Sequence, residues 1–371
     1  MLAWVPPSHG CTGMRHLATN VGPLSRLSLE TLVEHPRMKA FCVFDAVWWA
    51  RAAPQRFVAG VVPPWCSFSG LQSVQRAPQE RDAEARGHGG ESDMGMLDGK
   101  VAIVTGATSG IGERTVALFL AEGARVVFTG RRQPQGEAIA KRLGPSTRYI
   151  KADATNEADW QRVIKQTLDD NGRIDVLFNN AGGPAPTGGI EDVSVEGFDA
   201  AMALLVRSVM LGMKHVAPIM KRQRAGSIVN NGSVAAYLAG YSSSMVYSAA
   251  KAAVLHLTRC VAMELGEHGV RVNSVSPGAI ATGIVAKALG MRDTSAADAM
   301  AEKMQAIYAK AQPISRSGIP DDIAQCVCWL ASDRSSFVNG EDVVVDGGMI
   351  RGRPFSSHQE SLRQTRAMLG V

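Results

Sequence analysis

Cysteine is scarce, with six in 371 residues. Cys11, Cys42, Cys66, Cys260, Cys326 and Cys328 form no CxxC pair, so no disulfide framework is expected. His256 and Cys260 lie four apart on an expected helix, but two further ligands at credible spacing are missing. A zinc site is therefore not expected, and the thiols read as reduced, small apolar side chains. No run of 18 or more apolar residues occurs, so no transmembrane helix and no membrane partner are expected. The greasiest early stretch, Ala40 to Ala50, is short and broken by Asp45. No basic segment followed by an apolar one opens the chain, which makes a secretory signal a poor reading and the cytoplasm the default location. Charge of one sign is not blocked: 39 Lys and Arg against 34 Asp and Glu give +5, spread along the chain. That distribution describes a solvated surface rather than a nucleic-acid partner.

What is present is an ordinary globular composition, with 46% apolar and 20% charged residues. It excludes disorder throughout and leaves enough apolar side chain for a core. The length fits two average domains, or one large domain with an extension. Residues 1–95 differ in texture from the rest. They hold four of the six tryptophans and eight of the seventeen prolines, and no helical or alternating period persists. Gln75 to Asp93 is polar, charged and Gly-containing, which reads as a linker. The segment is expected to be a disordered or non-native extension, with translation starting at Met94 or Met96 as the favoured reading. An organelle-targeting or regulatory role is the alternative, although Glu30, Glu34 and Asp45 spoil the acid-poor pattern of a transit peptide.

From Leu97 the texture is regular. Val101 to Val104 is a short apolar run ended by Gly106, followed by a helical period over about 112–122. Arg125 to Thr129, Tyr149-Ile150, Ile174 to Phe178, Ser227 to Asn230, Arg271 to Val275 and Val343 to Val345 read as further strands. Helical periods separate the first four, one running to Leu143 and one over 158–171. Strands alternating with helices of this length mean βαβ units, a parallel sheet and helices on both faces. A single domain over 96–350 and a tail over 351–371 are expected.

After the first strand the chain reads TGATSGIG, from Thr105 to Gly112. Gly106, Gly110 and Gly112, with Ser109 and Ile111 between them, allow a tight turn in which backbone approaches a diphosphate. The following helix N-terminus offers N–H groups and a positive dipole end. A plain Gly-rich βα turn is the alternative. The second strand ends in Gly130-Arg131-Arg132 without a carboxylate. An acid there would read the 2′-hydroxyl of NAD, whereas a guanidinium suits the 2′-phosphate of NADP. Arg131 is the expected reader and NADP the favoured cofactor, with NAD the alternative. Further on, Tyr247 and Lys251 stand one turn apart in YSAAK, which holds a phenol beside an ammonium. The positive neighbour is expected to draw the phenol pKa from about 10 toward neutrality.

Taken in order, TGATSGIG, Asn179-Asn180-Ala181-Gly182, Gly232-Ser233, YSAAK, Pro277-Gly278 and Asp346-Gly347-Gly348 closely resemble the short-chain dehydrogenase/reductase family. The resemblance covers about residues 97–348. It implies a Rossmann-type doubly wound sheet of about seven strands. It also implies Tyr247 as acid/base, Lys251 on the nicotinamide ribose and Ser233 on the substrate oxygen. Asp153 would meet adenine, and Asn180, Ala181 and Gly182 the adenosine ribose. Pro277, Gly278, Ile280 and Thr282 would close around the nicotinamide, with Ile280 and Thr282 on its carboxamide. No metal is needed for hydride transfer to a carbinol carbon. One position departs from the family pattern: Leu205 stands where an Asn usually helps hold a water that relays protons to the lysine.

The substrate signal is thinner. The segment after Thr282, up to about Ser317, would form the substrate lid, and Met291, Met300 and Met304 suggest an apolar, adaptable pocket. Gly183-Pro184, Tyr241 and Met245 are candidate pocket residues. A hydrophobic, alicyclic secondary alcohol or its ketone fits such a site. The alternatives are reduction of a 3-oxoacyl chain on a carrier protein, with Lys221, Arg222 and Arg224 as a docking patch or merely a helix cap, and a nucleotide sensor without catalysis. The family resemblance also implies a homotetramer or dimer, with the period Val246, Ala250, Ala253, Leu257 and Val261 serving that interface or the core.

Removal of residues 1–93 is expected to leave both folding and turnover unchanged, since the segment lacks a periodic core. Thermal denaturation and steady-state rates of the truncated protein check this. Insolubility, or lost turnover, would make the extension part of the working enzyme.

Overall fold

A computed structural model describes residues 94–284, 291 and 294–371. The expectations for residues 1–93 lie outside these, as does part of the expected lid. Seven strands form one sheet: β1 (Val101–Val104), β2 (Arg125–Gly130), β3 (Thr147–Lys151), β4 (Val176–Asn179), β5 (Gly226–Asn231), β6 (Val270–Pro277) and β7 (Asp342–Val345). Their order across the sheet is β3-β2-β1-β4-β5-β6-β7, and every pair is parallel. The expected doubly wound α/β sheet is the one observed.

Alternation along the strands divides the core. Ala102, Val104, Phe128 and Phe178 pack on one face with Val116 and Phe119 of α1 (Gly110–Ala121). Ile103, Val127, Leu177 and Ile228 pack on the other with Trp160 and Ile164 of α3 (Glu157–Asn171). Short apolar runs such as VAIV are therefore strands buried on both sides, which is why they lack a polar face. Between these helices, α2 (Gln133–Leu143) starts with a proline in its first turn. The N-cap of α3 is Asn156, whose side chain accepts from the Ala158 and Asp159 N–H groups at 2.9 and 3.3 Å. Gly172 ends it in the left-handed conformation, the usual way to close a helix before a strand.

After β4 the chain is helical from Val195 to Gln223. It comprises α4 (Val195–Met202), a π-helical turn at Ala203–Arg207, and α5 (Ser208–Gln223). By length and composition this stretch passes for a membrane span. Its apolar face is spent on the core instead: Val209, Val216 and Met220 pack beside Ile228 of β5. The later α-helices among the described residues are α6 (Met245–Gly266), α7 (Thr294–Tyr308), α8 (Pro320–Ala331) and α9 (Phe355–Leu369). The expected C-terminal tail thus carries a helix, α9, none of whose residues is buried.

The strand order reverses between β1 and β4, the place where such sheets open a crevice at their carboxyl ends. Contacts there are close. A Cβ on Gly112 would lie 2.6 Å from Asn180 Nδ2 and 2.8 Å from both Ala107 Cα and the Gly106 carbonyl oxygen. Two of those atoms are backbone and cannot yield. Gly112→Ala is expected to destabilise the protein by about 1–3 kcal/mol through overpacking, read as a lowered Tm in thermal denaturation.

Candidate active site

The crevice is built from the ends of β1, β4 and β5. Thr105, the residue after β1, has its hydroxyl accepting the main-chain N–H groups of Asn180 and Ala181, each at 3.0 Å. The Asn180 side chain returns the link, donating to the carbonyls of Thr105 and Gly106 at 2.9 and 3.2 Å. Gly106 has φ +64°, and a Cβ there would stand 2.6 Å from Ala181 Cα. Glycine at that position lets the two loops touch. The N-cap of α1, Ser109, makes no side-chain cap bond, so the first N–H groups of the helix face the crevice.

On the β2 side, a cavity is lined by Gly106, Ser109, Arg131, Arg132, Asp153, Ala181 and Gly182, among others. Arg131 is exposed there. Arg132 is turned inward: it donates to the Thr108 hydroxyl and carbonyl at 3.1 and 3.0 Å and to the Ser109 hydroxyl at 2.6 Å. The sequence singled out Arg131. Arg132, which it did not choose, ties the end of β2 to the glycine-rich loop. Asp153 accepts the Thr155 N–H and hydroxyl at 2.9 and 2.8 Å, which fixes its carboxylate at the edge of the cavity.

A second cavity adjoins the first through Gly106, Ser109, Gly182 and Gly183, and adds Gly110, Ile111, Asn180, Leu205, Tyr247, Lys251 and Thr282. The methyl carbon of Thr282 lies 3.5 Å from where a Gly110 Cβ would be. The stretch after β6 therefore folds back over the loop. It is held by Gly318, which pairs with Ile280 and accepts the Ala281 N–H at 2.9 Å. The sequence-chosen Gly112 supports the turn from behind, and Pro277 is buried at the end of β6.

The third cavity, of about 320 Å³, shares Gly183, Tyr247 and Ile284 with the second. Ser233 lies on its floor, and Pro184, Ala185, Val234, Ile280, Tyr308 and Met349 supply its apolar walls. Of the sequence candidates, Pro184 and Tyr241 line it. Met245 does not line it; it is 44% exposed at the start of α6. Nor are Met300 and Met304 among the lining residues, whose aromatic and sulfur members are Tyr241, Tyr247, Tyr308 and Met349.

Ser244 caps α6 by accepting the Tyr247 N–H at 3.2 Å, which sets Tyr247 in the first turn and Lys251 one turn later. Lys251 is 4% exposed. Its ammonium donates to the Asn231 carbonyl at 2.6 Å and stands 5.6 Å from the Tyr247 ring centre. Burial alone pushes its pKa down to about 8. Here the sequence expectation needs correcting. Burial raises the Tyr247 phenol above its ordinary value, and the hydrogen bond with Ser233 only partly offsets this. Beneath the site, Asn179 donates to Asn230 at 2.9 Å, and Asn230 to Thr258 of α6 at 2.9 Å. These bonds pin α6 to β4 and β5. No group of three or more metal-ligating side chains occurs among the described residues.

Known proteins share this architecture. The sequence profile described as Enoyl-(Acyl carrier protein) reductase matches residues 106–350. Momilactone A synthase of Oryza sativa subsp. japonica is 37% identical over 70% of this chain and 92% of its own length. (+)-Borneol dehydrogenase 2 of Salvia officinalis is 39% identical over 68% and 89% respectively. The crystal structure of levodione reductase superposes with a TM-score of 0.62 at 32% identity, covering 69% of this chain and all of that one. The chain belongs to the short-chain dehydrogenase/reductase family. It is an oxidoreductase that takes a nicotinamide cofactor and a small-molecule substrate.

The first two of these cavities fit that cofactor: a basic end at Arg131 and Arg132, a glycine cradle at the α1 N-terminus, and an amide-lined end at Lys251. When bound, the nicotinamide supplies or accepts the hydride. If Tyr247 is the proton carrier of this site, Tyr247→Phe is expected to lower kcat by about 10²-fold or more. Cofactor affinity, followed by fluorescence titration, should hold within about twofold, because the ring that lines the second and third cavities is kept. A kcat equal to wild type would remove Tyr247 from the chemistry.

Proposed function

We propose that this protein interconverts a hydrophobic, alicyclic secondary alcohol and its ketone, with NADP(H) as the preferred cofactor. The observation that carries the reading is the third cavity, where Tyr247 and Ser233 are the reactive polar groups beside apolar walls from Pro184, Ala185, Val234, Ile280, Ile284, Tyr308 and Met349. A carbonyl seated there meets the Tyr247 and Ser233 hydroxyls beside these apolar walls, with Tyr241, Ser242, Ser243 and Ser244 completing the lining. Tyr247 gives its proton to the oxygen in the reducing direction and takes one in the oxidising direction. Ser233, 9% exposed and fixed by accepting the Ala235 N–H at 3.2 Å, holds the oxygen as charge builds on it. Lys251 positions the cofactor ribose and feeds protons to the phenol. Asp153 takes the adenine, Asn180, Ala181 and Gly182 the adenosine ribose, and Ile280 and Thr282 the carboxamide. Several relatives, a borneol dehydrogenase, zerumbone synthase and levodione reductase among them, support an alicyclic substrate.

The carrier-protein alternative is disfavoured by position. Lys221 and Arg222 close α5 and Arg224 caps it, just before β5 begins. That is the amino end of the sheet, opposite the crevice, and Lys221 is already paired with Glu264 at 2.6 Å. A pure sensor is disfavoured because Ser233, Tyr247 and Lys251 all converge on the cavities. A homo-oligomeric state and a cytoplasmic location belong to the same proposal. Met263 at 63% and Phe337 at 103% exposure offer apolar contacts to a second copy, and Cys260, Cys326 and Cys328 are free thiols.

Absorbance at the reduced-nicotinamide band, over a panel of cyclic alcohols and ketones with both cofactors, tests substrate and preference together. Arg131→Ala is expected to weaken NADP(H) by about ten- to hundredfold and barely touch NAD(H), as loss of one charge-assisted contact of about 1.5–3 kcal/mol would. Arg132→Ala should weaken both cofactors, because it releases Thr108 and Ser109. Comparing kcat/KM for each cofactor in wild type and variants decides it, and a wild type that prefers NAD(H) would defeat the proposal.

A further inference from the structure

The course of the chain at Arg131 is set from outside the cavity that Arg131 lines. The carbonyl of the peptide joining Gly130 to Arg131 accepts two hydrogen bonds. One comes from the Ala152 N–H at 3.1 Å, the other from the Tyr149 hydroxyl at 2.7 Å. Two donors on one carbonyl fix the plane of that peptide. On the far side of Arg131, the Arg132 carbonyl accepts the Gly136 N–H at 3.0 Å as α2 begins. The Arg132 guanidinium is bonded to Thr108 and Ser109. Arg131 therefore stands between two anchored residues, with its own side chain exposed on the cavity it shares with Asp153.

Tyr149 is itself held in place. It pairs with Phe128 across β2 and β3, and the two ring centres are 5.4 Å apart at an interplanar angle of 48°. Its ring also lies against α2, so closely that a Cβ on Gly136 would overlap Cδ2, Cε2 and Cζ. Burial raises the phenol pKa above its ordinary value; Glu137 adds to this and Arg132 opposes it. The hydroxyl thus stays a donor throughout the neutral range. Tyr149 is not among the residues lining the cavity. Its influence on a molecule bound there runs through the Gly130–Arg131 peptide.

We propose that Tyr149 is a positioning residue for cofactor choice: by holding the Gly130–Arg131 peptide, it keeps the Arg131 guanidinium preset for a 2′-phosphate. The inference rests on the reading of Arg131 as the 2′-phosphate contact. A long side chain loses conformational freedom when it binds, and a fixed point of departure lowers that cost. Only a ligand that carries a 2′-phosphate draws on Arg131, so only such a ligand gains. A ligand with a 2′-hydroxyl meets the same loop without that benefit.

The test measures binding of adenosine 2′,5′-bisphosphate and of 5′-AMP to the cofactor-free protein by calorimetry. It compares wild type, Tyr149→Phe, Arg131→Ala and the double variant. Tyr149→Phe keeps the ring on Phe128 and Gly136 and removes only the hydroxyl. Its preference for the bisphosphate over 5′-AMP is expected to fall about three- to tenfold, the worth of one hydrogen bond. In the Arg131→Ala background the same change should move the preference by less than about twofold, because the two residues act on one contact. A general loosening of the loop weakens both ligands alike and cancels in this ratio. The same split is expected in KM, with NADP(H) affected and NAD(H) spared. A preference that Tyr149→Phe leaves unchanged overturns the proposal. So does an equal weakening of both ligands, or a loss that persists in full without Arg131, since either marks a merely structural tyrosine. If Arg131→Ala leaves the wild-type preference intact, the reading of Arg131 fails and this proposal falls with it. A preference that depends on Arg131 but not on Tyr149 defeats this proposal alone.

Discussion

One hydroxyl carries the geometry of the site. Thr105 accepts two successive main-chain N–H groups, from Asn180 and Ala181, at the point where β1 and β4 diverge. A parallel sheet has no hydrogen-bond ladder beyond the ends of its strands, so these bonds, with those the Asn180 side chain returns to the Thr105 and Gly106 carbonyls, hold the two loops together. With them fixed, the α1 N-terminus is aimed at the crevice and the Asn180 amide is oriented. The Asn231 amide follows from that orientation, and the Asn231 main-chain carbonyl receives the Lys251 ammonium.

Burial is the electrostatic theme of the reactive end. Both members of the Tyr-Lys pair are desolvated, which disfavours their charged forms in opposite directions: the phenol goes up and the ammonium comes down. Proximity on one helical turn, read from the sequence, gives the opposite expectation for the tyrosine. The difference arises because Coulomb attraction depends on where the charged atom points, whereas desolvation depends on what surrounds it. The ammonium points at a carbonyl, and the phenol meets a serine.

The substrate side is decided by walls from distant parts of the chain. Pro184, Val234, Ile280, Tyr308 and Met349 come together only after folding. Their sequence neighbours gave little hint, and the methionines that stood out in the sequence, Met300 and Met304, are not among them. Arg132 is a similar case. It sits beside Arg131 in the sequence with the same chemistry, and only the direction of the chain at the start of α2 turns one guanidinium to the glycine-rich loop and the other outward.

By itself the sequence determined the alternation of strands and helices, because VAIV, VVFT and similar runs can be buried on both faces only in a parallel sheet. It also determined the glycine cradle, since TGATSGIG permits approaches that a Cβ would block. The placing of Tyr247 and Lys251 one turn apart follows from helical periodicity alone. What only the tertiary structure decided is the set of contacts between loops far apart in the chain. These are the Thr105–Asn180 link, the inward turn of Arg132, the apolar walls of the third cavity, and the bond from the Lys251 ammonium to the Asn231 carbonyl. Hydrogen-bond direction and burial are properties of neighbours in space, and local periodicity carries no record of which neighbours those will be.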